Sequence, residues 1–79
     1  MIKTPVIESE KLNEKFDSRF FIKAEPLQRT GSFKIRGACN MIANLTESER
    51  ERGIVAYSSG NHAQGVAAAA RIFKIKATI

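Results

Sequence analysis

Apolar positions along the chain fall into two patterns, stripes at helical spacing and short unbroken runs, separated by polar turn residues. Ala38, Met41, Ile42 and Leu45 recur at helical spacing and predict a helix from Phe33 to about Asn44, with that stripe as core. Ser9 is placed to cap a shorter helix through about Lys15, where Leu12 and Phe16 stand four apart. Thr46 with Glu49 forms a capping-box pattern opening a polar helix that Gly53 closes. A fourth helix runs from about Asn61 to Phe73, and its Ala67–Ala70 run has high helix propensity.

The unbroken runs predict strands. Thr4-Pro5-Val6 is extended, because proline disfavours helix in the residue before it. Arg19–Ala24 carries aromatic and β-branched residues at its centre and stops at Glu25-Pro26. Ile54–Tyr57 is a short, mostly apolar strand of the kind buried in parallel sheets, and Lys76–Ile79 begins another. Strand, helix, strand, helix, strand in that order implies an α/β layer structure with right-handed crossovers.

Composition narrows the function classes. Net charge is 13 − 8 = +5, yet the lysines and arginines are scattered, and only Phe20 and Phe21 stand beside a basic residue in the manner of a stacking platform. That is the pattern of solvated side chains around an anionic ligand, so a basic nucleic-acid module is the weaker reading. The single cysteine, Cys39, excludes an internal disulfide and suits a reducing compartment. No apolar run approaches a membrane span and the start lacks a signal-peptide core, so a cytoplasmic protein is expected. At 79 residues, starting in an extended segment and stopping inside an apolar run, the chain is expected to be a fragment or truncated product.

Two turn-to-helix junctions carry the chemistry. Parallel α/β sheets bind ligands at the carboxyl ends of their strands, and a helix start adds free N–H groups and a positive dipole end. Ser58-Ser59-Gly60-Asn61-His62 offers hydroxyls, close backbone approach, an amide and an imidazole at one such junction. It reads as a carboxylate or phosphate site, or as a helix start capped by Ser58 or Ser59. At the other, Thr30-Gly31-Ser32 makes a turn, Ser32 can cap, and Lys34 opens the helix. A cation there opposes the dipole, which favours the neutral amine that a Schiff-base nucleophile needs. These patterns name an anion site and no metal ligand.

The stretch Gln28–Ala38 (QRTGSFKIRGA) closely resembles the cofactor-lysine motif of serine/threonine dehydratases, fold type II (tryptophan-synthase-β-like) pyridoxal-phosphate enzymes. Ser58–Ala67 (SSGNHAQGVA) is similar to that family's substrate-carboxylate loop, and Thr4-Pro5-Val6 and Lys23-Ala24-Glu25 also fit. The resemblance implies a partial tryptophan-synthase-β-like fold with pyridoxal 5'-phosphate as cofactor. Lys34 would hold that cofactor and move the substrate α-proton, Phe33 would pack near its ring, and Asn61 would bond its phenolic oxygen. Ser58, Gly60, Asn61 and His62 would hold the substrate carboxylate. The implied reaction takes L-threonine or L-serine to a 2-oxo acid by loss of water and then ammonia, in a homo-oligomeric enzyme.

Within the family, Ile35-Arg36-Gly37 after the lysine and His62 in the loop favour a dehydratase or racemase over cysteine and threonine synthases. Ser59 keeps serine racemase open, since racemisation needs a proton donor on each face and Ser59 would oppose Lys34. A hydroxyaspartate dehydratase is a further alternative. Pro26-Leu27 departs from the family pattern only in a turn. The family's glycine-rich phosphate loop is absent, for no Gly-Gly occurs. Residues 1–79 are therefore expected to be the N-terminal portion of a larger enzyme and inactive alone. A non-catalytic remnant or interaction partner is the alternative of another class.

Overall fold

The computed structural model describes residues 1–79. Strand β1 (Val6–Glu8) leads into helix α1 (Glu10–Phe16), and the chain returns as β2 (Phe21–Lys23) antiparallel to β1. Ser9 caps α1 as its position predicts, its hydroxyl accepting the Leu12 N–H at 3.3 Å. Asp17, at φ 47°, ends the helix in the left-handed region and reverses the chain. Glu8 on β1 then takes both Arg19 Nε and a terminal nitrogen, at 2.8 and 2.9 Å. All six strand residues of this ribbon are exposed.

This differs from the sequence expectation. Of Arg19–Ala24 only Phe21–Lys23 is strand, and it pairs with the extended start of the chain in a sheet of its own. Aromatic and β-branched content marks a segment that fits a pleated surface, but it does not name the partner strand. Here a connection of one short helix lets neighbouring segments pair first.

A 3-10 turn (Glu25–Leu27) and the Thr30-Gly31-Ser32 turn carry the chain to helix α2 (Lys34–Ala43). Gly31 stands at φ 75°, a conformation L side chains rarely adopt, which lets the turn close just ahead of Lys34. Helix α3 (Glu47–Arg52) has the predicted reciprocal box, Thr46 with Glu49, and Gly53 follows it. Strand β3 (Ile54–Val55), helix α4 (Asn61–Phe73) and strand β4 (Ala77–Thr78) form a β–α–β unit. Its strands run parallel, with Ile54 opposite Ala77.

The core lies between α2 and α4. Ile35, Ala38, Cys39 and Ile42 of α2 meet Val66 and Ala69 of α4, with Leu45, Ile54, Phe73 and Ala77 packed around them. The buried stripe of α2 is therefore 35, 38, 39 and 42. Met41, expected in the core, is 67% exposed because the true stripe is rotated toward Ile35 and Cys39. Cys39 is a buried packing residue.

The molecule measures 52 × 23 × 16 Å, with a radius of gyration of 16.4 Å. A compact chain of this length would have about 12 Å, so the ribbon projects from the packed unit. Two polar fastenings join them. Buried Gln28 accepts the Ile2 N–H at 2.8 Å and donates to the Ile2 carbonyl at 2.7 Å. Glu25 receives the Thr4 hydroxyl at 2.5 Å and the Arg36 guanidinium at 2.8 and 2.9 Å.

Candidate functional site

Lys34 is the first residue of α2, half-buried, with its N–H 3.4 Å from the Ser32 hydroxyl. Its Nζ forms no ion pair and lies 5.3 Å from the centroid of the Phe33 ring. Arg36, two residues on, holds Glu25 through two charge-assisted hydrogen bonds. That guanidinium, with the Thr4 hydroxyl behind it, lowers the Glu25 pKa from 4.5 to about 2. The amine of Lys34 has neither an ion-pair nor a hydrogen-bond partner within the chain. Phe33 is 60% exposed, an open ring beside it.

The second turn follows β3, at the carboxyl end of a parallel strand, where this fold class places ligands. Ser58 is the serine that caps: its hydroxyl accepts the N–H groups of Gly60 and Ala63, both at 3.2 Å. Ser59 takes no part in the cap, and its exposed hydroxyl makes no hydrogen bond within the chain. The side chains of Asn61 and His62 are likewise exposed. No hydrogen bond within the chain uses the N–H groups of Ser59, Asn61 or His62. Three unused donors at the start of a 13-residue helix are a receptive place for a carboxylate.

The first junction differs from expectation in one respect. It does not lie on a strand of the parallel sheet, because β2 belongs to the ribbon and the 3-10 turn intervenes. Lys34 reaches the sheet's carboxyl end through helix packing instead. Gly65, one turn into α4, is buried against the Lys34–Ile35 peptide, and a β-carbon there would stand 2.9 Å from the Lys34 carbonyl carbon.

Sequence reasoning assigned no role to Gly65, Gln28, Glu25 or Arg36. A glycine inside an alanine-rich helix costs helix stability and so hinted at a packing need. The other three lie in or beside the motif stretches without a local signature of their own.

His62 helps line an open apolar groove of about 430 Å³ between α2, α4 and β3, with Ala38, Met41 and Val55 among its other walls. Lys34, Phe33, Ser58 and Asn61 line neither of the two grooves, so the chain brings the site residues to one end of the helix pair without enclosing them. The donor set suits one end of pyridoxal phosphate: a free primary amine for its aldehyde and a free amide for its phenolic oxygen. No glycine-rich cradle for the phosphate is present.

The family model described as "Pyridoxal-phosphate dependent enzyme" matches residues 1–79. The chain is 58% identical over 77 residues to the L-threonine ammonia-lyase of Thermotoga maritima, covering 98% of this chain and 19% of that protein. It is 53% identical over 77 residues to the L-threo-3-hydroxyaspartate ammonia-lyase of a Pseudomonas species, covering 98% and 24% respectively. Among solved structures, serine racemase from Dictyostelium discoideum superposes with a TM-score of 0.90 at 45% identity, over 96% of this chain and 25% of that one. The chain spans about a fifth to a quarter of the length of the curated relatives it matches. Its mixed helix–strand fold corresponds to the N-terminal part of tryptophan-synthase-β-like enzymes. The family is enzymatic, holding ammonia-lyases and racemases that depend on pyridoxal phosphate, and the chain belongs to it.

Proposed function

We propose that residues 1–79 form the N-terminal portion of a pyridoxal-phosphate ammonia-lyase that converts L-threonine or L-serine to a 2-oxo acid and ammonia. The observation that carries this reading is the free amine of Lys34 packed, through Gly65, beside a helix start with unused donors. When bound, the cofactor draws electrons from the substrate and acidifies its α-proton. The chain's residues do the rest at this end of the site. Lys34 holds the cofactor and later carries the α-proton on its Nζ. Phe33 would pack near the cofactor ring, and the Asn61 amide would donate to its phenolic oxygen. Ser58 shapes the turn while Gly60, Asn61 and His62 bind the substrate carboxylate. A phosphate-binding loop and a closing domain come from sequence outside these residues, so the chain alone does not turn over substrate. By family resemblance the whole enzyme self-associates and acts on a small amino acid, and the chain's composition favours the cytoplasm.

A specific observation favours a second activity. Ser58, not Ser59, caps α4, which leaves the Ser59 hydroxyl available as a proton donor opposite Lys34. In that case the enzyme also racemises serine. The test is to give the intact enzyme L-serine and follow ammonia release and D-serine separately. Ser59→Ala is expected to retain ammonia release while losing D-serine formation. Equal loss of both would remove Ser59 from a face-specific proton role, and absence of ammonia release from the unsubstituted enzyme would remove the lyase assignment.

A further inference from the structure

The role proposed for Lys34 needs its amine at a fixed distance from the donors around Asn61, yet the two lie on different helices with no hydrogen bond between them. The contact that sets this distance is backbone against backbone. A β-carbon at Gly65 would meet the Lys34 carbonyl carbon at 2.9 Å, the Ile35 nitrogen at 3.0 Å and the Lys34 β-carbon at 3.0 Å. Ordinary contact begins near 3.4 Å, so even the smallest side chain forces the helices apart by about half an ångström. None of the three atoms lies at the flexible end of a side chain, so nothing can give way locally. Gly65 also lies only four residues, about 6 Å of helix rise, from Asn61, so the clamp holds the first turns of both helices together.

Resting on the lysine reading above, we propose that Gly65 is a positioning residue: its missing side chain lets α4 seat on the first peptide of α2 and so fixes Lys34 against the Ser58–His62 turn. The residue touches neither cofactor nor substrate and acts through the Lys34 backbone. Two substitutions separate this from a general packing role. Gly37 lies on α2 with nothing within 4 Å of an added β-carbon, so Gly37→Ala tests glycine removal without a clash. Ala69, fully buried one turn beyond Gly65 on α4, packs in the apolar core cluster. Ala69→Val therefore overpacks the same interface one turn further along α4.

The experiment mixes the intact apoenzyme with pyridoxal phosphate, traps the Lys34 adduct with borohydride at timed intervals, and records melting temperatures alongside. Expected are adduct formation slowed on the order of 10-fold in Gly65→Ala, with kcat falling and KM for serine nearly unchanged. Wild-type trapping rates are expected in Gly37→Ala and in Ala69→Val, the latter despite a lowered melting temperature. A wild-type trapping rate in Gly65→Ala overturns the proposal, as does a rate in Ala69→Val that falls in step with its stability. If Gly65→Ala yields no soluble protein, the Ala69→Val result decides: a preserved rate supports local positioning and a slowed one overturns it. Failure of the unsubstituted enzyme to trap cofactor on Lys34 would instead sink the lysine assignment itself.

Discussion

The ribbon of residues 6–23 and the α2–α4 unit both carry large apolar side chains but are held by different forces. Val6, Ile7, Phe21 and Ile22 are all about half exposed, and the ribbon rests on its backbone ladder, a capped helix and the Glu8–Arg19 pair. In the α2–α4 unit the same kinds of residue are covered: Ile35 and Ile42 are essentially inaccessible, and Val66 and Ala69 close over them. The difference teaches where geometry can be kept. Close packing in the helix pair holds backbone atoms within tenths of an ångström, and both site junctions are built on that pair. The ribbon serves as an attachment.

The sharpest way to break the comparison is the same substitution in both regions. Ile42→Ala, in the core, is expected to cost about 2–5 kcal/mol and unfold the helix pair. Ile22→Ala, half-exposed on β2, is expected to cost about 1 kcal/mol or less. Urea denaturation followed by circular dichroism compares them, and equal costs would mean that the ribbon is as load-sharing as the core. Next in size is the fastening between the regions. Gln28→Ala removes both bonds to Ile2 and leaves a small cavity, for an expected loss of about 1–2 kcal/mol. Proteolysis should then cut before residue 6 while α2 and α4 stay protected from hydrogen exchange.

The smallest effect is a pH dependence. Because Arg36 lowers the Glu25 carboxyl to about 2 in the folded chain against 4.5 unfolded, the unfolded state binds the proton more readily. The stabilisation is complete above about 4.5 and lost as pH falls toward 2. Melting temperature should therefore drop over that interval more steeply for the natural chain than for Glu25→Gln. Parallel curves would show that the Glu25–Arg36 fastening is already open in solution.

Local signals in the sequence were the readable part. Ser9, the Thr46–Glu49 box and the helix of residues 61–73 follow from short-range chemistry, and the structure places them within a residue or two of expectation. Long-range choices were not readable. Nothing in Phe21-Ile22-Lys23 says that its partner is Val6–Glu8, and a stripe containing Met41 fits helical spacing as well as one containing Ile35. For the site, the motifs carried the lysine and the turn, while the part played by Gly65 emerged only when α4 was laid against α2. Which of two adjacent serines caps α4 is decided by the reach of one hydroxyl to two N–H groups, a matter of tertiary geometry.

The account stands or falls on Lys34. The most direct measurement incubates the protein with pyridoxal phosphate, reduces with borohydride and locates the adduct by peptide mass, with Lys34→Ala alongside. Modification concentrated on Lys34 and absent from the variant is the predicted result. Labelling of the intact enzyme spread over its many lysines, or unchanged by Lys34→Ala, would contradict it.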